Sequence, residues 1–367
     1  MEKIRLGDAC DILNGFAFKS DKYVEDGIRI IRIANVQKGY IEDNAPVFYP
    51  INSADLEKYM LEEDDLLMSL TGNVGRVALL QKEMVPAALN QRVACLRLKT
   101  GGIKKRFLFH ILNSDFFEQQ CVRAANGVAQ KNISTEWLKD YEIPLYSIGE
   151  QLKITDVLDK TRRIIASRRD ELNALDNLIK ARFVELFGDP VQNEKGWKTK
   201  PLLDMGNCKN GMNFHYDDCG VEINCLGVGD FKDLSVIENT EILPMVSLNE
   251  MPSEEYLLKN DDIVFVRSNG NKALVGRSLA VYPGDVPTTF SGFCIRYRKH
   301  DDEVTVPYLL RVLKSESIRL KMAGRGANIQ NLNQQILGTL IIPVPPKELQ
   351  LEFADFVHQV DKSKVVA

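Results

Sequence analysis

The side chains with the most chemical reach in this sequence are amides and cations gathered in short stretches. One set is Thr71-Gly72-Asn73 with Arg76, Asn90-Gln91-Arg92 and Gln130-Lys131-Asn132. A second set is Arg267-Ser268-Asn269-Gly270-Asn271-Lys272 with Arg277, Ser291, and Arg325 with Asn328, Gln330 and Asn331. Asn and Gln can bond an adenine edge bidentately, Arg can bond a guanine edge, and Lys and Arg neutralise phosphates. This is the chemistry of reading double-stranded DNA in a groove, not of breaking bonds. Asn and Gly also form turns for local reasons, so each residue alone has a structural explanation; the clustering in paired loops lifts the set above it. The runs Lys104-Lys105-Arg106, Arg162-Arg163 and Arg168-Arg169 could track a phosphate backbone or face a partner, although charge runs are usually solvated faces.

Catalytic patterns are missing. Gly270 to Arg277 has five residues between its glycines and an Arg where a phosphate-binding loop needs Lys. The four histidines (110, 215, 300, 358) stand far apart, so neither a metal site nor a His-based nucleophile is expected. No dinucleotide fingerprint follows a strand, and the Asn-Pro-Pro or Asp-Pro-Pro aromatic tetrapeptide of amino-methyltransferases is lacking. The seven cysteines (10, 95, 121, 208, 219, 225, 294) never form a C-x-x-C pair and read as small buried hydrophobes in a reducing compartment. A non-catalytic, metal-free chain is the expectation.

The elements that must position these loops come in duplicate. Asn14-Gly15-x-x-Phe18 recurs as Asn210-Gly211-x-x-Phe214, Asp64-Asp65-Leu66-Leu67 as Asp261-Asp262-Ile263-Val264, and Val74-Gly75-Arg76 as Val275-Gly276-Arg277. Gly127 with Asn132 matches Gly326 with Asn331, Ile143-Pro144 matches Ile342-Pro343, and Gln151-Leu152 matches Gln350-Leu351. The order is the same in both halves, and the offsets stay between 196 and 201 residues. Six matches in register mean duplication. Between the Asp-Asp pair and Val-Gly-Arg the second copy carries four extra residues, as a surface loop can absorb.

Apolar runs at 28–33, 66–69, 93–98, 263–266 and 293–297 read as strands, and helical spacing appears from Phe107 to Ala124 and from Pro307 to Met322. Each copy is therefore a mixed α and β domain. Between the copies, Leu158, Ile165, Leu172, Ile179 and Leu186 recur every seven residues up to a Gly188-Asp189-Pro190 stop. Such spacing predicts a coiled-coil seam on a spacer helix about 57 Å long at 1.5 Å per residue. Its expected partner is an antiparallel helix from Glu348 onward, with Leu351, Phe353, Phe356, Val357 and Val360 as the apolar stripe. That second helix is expected to be shortened, leaving half of the first unpartnered.

Length fits two moderate domains joined by something extended, and 44% apolar with 27% charged residues is ordinary globular composition. A net charge of −4 gives no global pull toward nucleic acid, so any DNA affinity must be local. The start of the chain has no signal-peptide pattern, and no run reaches about 18 apolar residues. A cytoplasmic protein with no membrane contact is expected.

Taken together, two variable units that open near Asn-Gly-x-x-Phe, carry an Asp-Asp strand before a Thr-Gly-Asn loop and close on Ile-Pro and Gln-Leu resemble the specificity subunit of type I restriction-modification systems. The resemblance covers essentially the whole chain. It implies an α+β fold in which two similar α/β target-recognition domains with twisted sheets are separated by long antiparallel coiled-coil spacer helices. The boundaries would be 1–148 and 191–346 for the two domains, 149–190 for the central spacer and 347–367 for the shortened second one. It further implies an interrupted, bipartite DNA target, docking of two modification (methyltransferase) subunits, and restriction subunits in the full complex. S-adenosylmethionine, ATP and magnesium would be used by those partner subunits, none by this chain. The short second helix puts docking at that end in doubt and could let two copies pair. The rival reading is a coiled-coil scaffold with paired protein-binding domains and no DNA; a nuclease or NTPase is the third.

Overall fold

Leu66-Leu67-Met68 is apolar without alternation because both faces of its strand are covered, as in a sheet packed between two layers. The computed structural model describes residues 2–51, 56–99, 101–125, 131–214, 219–231, 235–323 and 331–366. It comprises two units, Met1–Ser167 and Arg168–Ala367.

In the first unit a four-stranded antiparallel sheet runs in the order Cys10–Asn14, Val93–Leu98, Leu66–Ser69, Val77–Leu79. Helix α1 (Leu6–Ala9) precedes it, and α2 (Lys105–Leu112), α3 (Asp115–Ala124) and α4 (Thr135–Asp140) follow. Leu66, Met68, Ala94 and Leu96 pack with Phe107, Leu108, Leu112 and Phe117 from α2 and α3. The other face, Leu67, Ala78 and Cys95, packs with Ile31, Ala87 and Leu89 of a second sheet. That sheet has the order Phe48–Tyr49, Ile28–Ile31, Ala87–Leu89, Met60–Leu61, with a parallel central pair. The helical stretch expected as one piece from Phe107 is broken after Leu112, because the Ser114 hydroxyl accepts from the Phe117 amide at 3.2 Å and starts a new helix.

The second unit repeats this plan. Its main sheet runs Gly206–Asn210, Cys294–Lys299, Asp262–Val266, Ser278–Val281, Val236–Ile237, and a three-stranded sheet runs Met245–Leu248, Val221–Leu226, Thr288–Phe290. Two antiparallel strand pairs, Lys3–Arg5 with Glu142–Pro144 and Lys198–Pro201 with Ile341–Val344, give the Ile-Pro repeat its place.

Helix α5 (Ile148–Phe187) is continuous for 40 residues. It starts in a capping box, Ser147 Oγ accepting from the Glu150 amide at 3.3 Å and Glu150 Oε2 from the Ser147 amide at 3.0 Å. It stops at Gly188, where the Trp197 indole donates to the Phe187 carbonyl at 3.1 Å. In the second unit follow α6 (Val306–Lys314), α7 (Glu316–Ala323), α8 (Gln334–Gly338) and α9 (Lys347–Val366). The final part of α5 runs antiparallel to α9, with Arg182 bonded to Glu352 at 2.5 Å and Asp176 to Lys364 at 2.7 Å. Between them Phe183, Phe187, Tyr308 and Phe353 form a ring cluster with centroids 4.7 to 5.8 Å apart.

The sevenfold stripe is not a uniform seam. Ile179 is buried and Leu186 half-buried against α9, whereas Leu158, Ile165 and Leu172 are 39%, 55% and 37% exposed. The start of α5 instead packs in the first unit through Gln151, Asp159 and Arg162, with Ile154 against the core. No helix among the described residues is long and apolar enough to cross a membrane.

Candidate nucleic-acid interface

Four separate segments build one edge in the first unit, and main-chain bonds fix each to the next. The Phe16 amide donates to the Leu89 carbonyl at 2.8 Å and the Gln91 amide to Phe16 at 3.0 Å. Such close approach explains Asn-Gly: a Cβ on Gly15 would lie 2.3 Å from the Asn90 carbonyl oxygen. The Leu70 amide donates to Arg92 at 3.0 Å, and the Gly72 amide to Lys131 at 2.8 Å, while Thr71 bridges Asn132. Asn73, Gln91, Arg92, Lys131 and Asn132 are exposed along this edge, with Thr71 and Asn90 half-buried among them. The Asn90 side-chain oxygen accepts from the Arg92 amide at 3.3 Å, a local turn bond. Arg76 lies elsewhere: its guanidinium donates to Gln37 Oε1 at 2.6 Å and sits 3.8 Å from Glu118.

The second unit makes the same edge from equivalent bonds. The Met212 amide donates to Phe290 at 3.0 Å, Gly292 to Met212 at 2.6 Å, Arg267 to Phe293 at 2.8 Å and Leu332 to Arg267 at 2.8 Å. Asn271, Lys272 and Asn331 are exposed in these loops, and Arg267, Ser268, Asn269 and Ser291 are half-buried; Arg277, the counterpart of Arg76, lies off the edge beside Arg319, where it lines a cavity against α5 that Lys272 also borders. Asn269 and Asn271 use their side-chain oxygens to accept from the amides of Asn271 (2.8 Å) and Ala273 (3.1 Å), holding the longer loop in successive turns. Arg319 supports the base of that loop, donating to the carbonyls of Gly276 (3.0 Å) and Val275 (3.2 Å). Gln130, Arg325, Asn328 and Gln330 lie outside the described residues. Two readings of the sequence are thereby explained in both copies: the loops that gather on one edge come from the matching segments, and amides in them serve turns as well as offering polar groups outward.

Sequence reasoning missed Phe293, whose side chain stands out from the second edge at 60% exposure. It takes the place that Arg92 holds in the first unit, since both carbonyls accept the amide that leaves the central strand. Alignment at the 201-residue offset of Val74 and Val275 would have paired the two.

The start of α5 is held to the first unit by hydrogen bonds and an ion pair. His110 Nε2 lies 2.7 Å from Asp159 Oδ1, and Arg106 Nη2 lies 2.9 Å from the same oxygen. Burial pushes the His110 imidazole below its ordinary range despite Asp159. Burial would raise Asp159, but the His110 bond and Arg106 bring it below the usual carboxylate range. Arg162 lies over the Phe109 ring, 4.9 Å from its centroid, and donates to the Gly39 carbonyl at 3.2 Å. Among the described residues no His, Cys, Asp and Glu side chains group as metal ligands.

Comparison with known proteins follows the same duplication. A family model described as a type I restriction modification DNA specificity domain matches residues 1–177 and again 194–365. The StySPI type I restriction enzyme specificity subunit of Salmonella potsdam is 24% identical over 374 residues, covering 95% of this chain and 79% of the relative. The EcoBI type I restriction enzyme specificity subunit of Escherichia coli is 28% identical over 388 residues, covering 98% of this chain and 78% of the relative. The crystal structure of a type I restriction-modification system S subunit from M. genitalium has a TM-score of 0.57 at 17% identity, covering 99% of this chain and 90% of that one, which is a likeness of fold.

Proposed function

The chain belongs to the type I restriction-modification specificity subunits, and from that membership we propose that it reads an interrupted double-stranded DNA target, one half-site per unit. The observation that carries this reading is the pair of like-built edges, each assembled from four chain segments and exposing amide and cationic groups, on a domain that matches the family model. Amides and Arg offer the hydrogen bonds that distinguish base pairs in the major groove, and Lys131 and Lys272 offer phosphate contacts. Main-chain bonds fix the loop bases, so recognition costs little ordering.

In this reading the chain catalyses nothing. Methyl transfer with S-adenosylmethionine and ATP- and magnesium-dependent translocation and cleavage belong to modification and restriction subunits in the cytoplasm. The exposed apolar positions Leu158, Ile165 and Leu172 on α5 give two modification subunits a surface to dock on, and a second copy of the chain could use the same stripe.

The test is to express the chain with its modification subunits in a host free of adenine methylation and sequence the methylome. Two short specified blocks separated by a fixed number of unspecified bases are expected. A single unbroken block, or no sequence motif at all, would overturn the proposal.

A further inference from the structure

Phe293 is 60% exposed and stands on the second edge, at the position that a cation takes in the first. Phe293 cannot fold back easily. Its carbonyl accepts from the Arg267 amide at 2.8 Å, and its amide donates to Ser291 Oγ at 3.3 Å. The Gly292 before it is buried, and its amide donates to the Met212 carbonyl at 2.6 Å. The backbone is thus held on both sides while the ring points out next to Arg267, on an edge that also exposes Asn271, Lys272 and Asn331.

The first unit puts Arg92 in the same place. A guanidinium there can pair with the O6 and N7 of guanine, whereas a phenyl ring has no hydrogen bond to give or take. Among the groups that base pairs show in the major groove, the one that complements it is the 5-methyl group of thymine. We propose that Phe293 is a specificity-determining residue that selects one thymine in the half-site of the second unit by covering its methyl group. This rests on the reading of these edges as DNA-facing.

The test uses the complex of this chain with its modification subunits and duplexes carrying its own target. Each thymine of the second half-site is replaced in turn by uracil, which keeps every hydrogen bond and lacks the methyl. At one position uracil should weaken binding about three- to fivefold, the effect of one buried methyl. Phe293→Ala should bind the thymine duplex weaker by a similar factor, become indifferent to uracil there, and keep the salt dependence of the parent. Phe293→Arg should shift the preference at that position toward guanine. A half-site without thymine, uniform tolerance of uracil, or a Phe293→Ala complex that still senses uracil would each overturn the proposal. So would a 2-aminopurine probe brightening beside the ring with no methyl effect, which would mean wedging between base pairs. If the parent complex showed no sequence preference on any duplex, the functional reading itself would fail; a selective parent blind to the methyl sinks only this inference.

Discussion

Arg298 grips Asp262 through both carboxylate oxygens, with Nε and Nη2 each at 2.7 Å, and the carboxylate it holds has no exposed surface. Arg97 holds Asp65 in the same way at 3.0 and 2.7 Å. The arginine also donates to a nearby carbonyl, Leu257 in one unit and Met60 in the other. The preceding Asp261 and Asp64 take left-handed φ of 71° and 64°. The repeated Asp-Asp therefore does two jobs: the first residue turns the chain, and the second anchors the central strand to its neighbour.

Asp262→Ala leaves the Arg298 guanidinium without its counter-charge. A loss of about 3–5 kcal/mol is expected, as for breaking a buried pair from one side. Urea unfolding of the second unit followed by Trp197 fluorescence measures it, and a loss below about 1 kcal/mol would show that the pair contributes little.

Gly211→Ala would place a Cβ 2.1 Å from the Ser291 carbonyl oxygen, a main-chain atom that cannot yield without moving the edge. Destabilisation of about 1–3 kcal/mol is expected. DNA binding should fall further than stability alone explains, because Ser291 to Phe293 move with it. Binding measured well below the melting temperature separates the two effects; unchanged affinity would refute the coupling.

Arg92→Ala and Lys272→Ala should weaken contacts at different half-sites, since the residues stand on the edges of different units. Each is expected to lose about 1–3 kcal/mol if it meets a base, or to lower the salt slope by about 1 if it meets a phosphate. Footprints of the two variants decide the matter. Both marking the same half-site would contradict one unit per half.

Lys314 donates to Ser235 Oγ at 2.8 Å, and burial, with Arg311 and Lys364 adding repulsion against Asp176 and Asp361, holds its amine at about 8 instead of 10.5. The folded pKa is below the unfolded one, so the unfolded chain binds the extra proton between these values. This group's contribution therefore grows as pH rises from about 8 to 10.5 and is flat below. Lys314→Met should abolish that alkaline gain and raise stability near pH 7. Paired denaturant midpoints of parent and variant at both ends of the window check the sign, and parallel curves would exclude Lys314 as the source.

Much of the architecture could be read from short repeats because each marks a local necessity. Gly15 and Gly211 are required by a neighbouring carbonyl, and Gln151 and Gln350 are fully buried amides that saturate matching partners. Gln151 accepts from the Lys104 amide at 2.8 Å as Gln350 accepts from Thr305 at 2.8 Å. Pairings between distant residues were not legible. Asp159 meets Arg106 and His110 across about fifty positions, and nothing in the local pattern of α5 distinguishes it from a solvated acid. The Leu and Ile residues repeating every seven positions suggested one seam, but the first part of the helix is docked largely by polar contacts and the rings that pack its end, Phe183 and Phe187, lie off that stripe. Phe293 escaped notice because residue type argues for the core and only the fold shows it outside.

The loop between Val266 and Val275 exceeds its counterpart by four residues and carries Lys272 on successive Asn turns. Duplication alone would have given two edges of one reach. The extra residues make the second edge project a polar loop that the first lacks, so on the proposed reading the two half-sites are met by unequal tools.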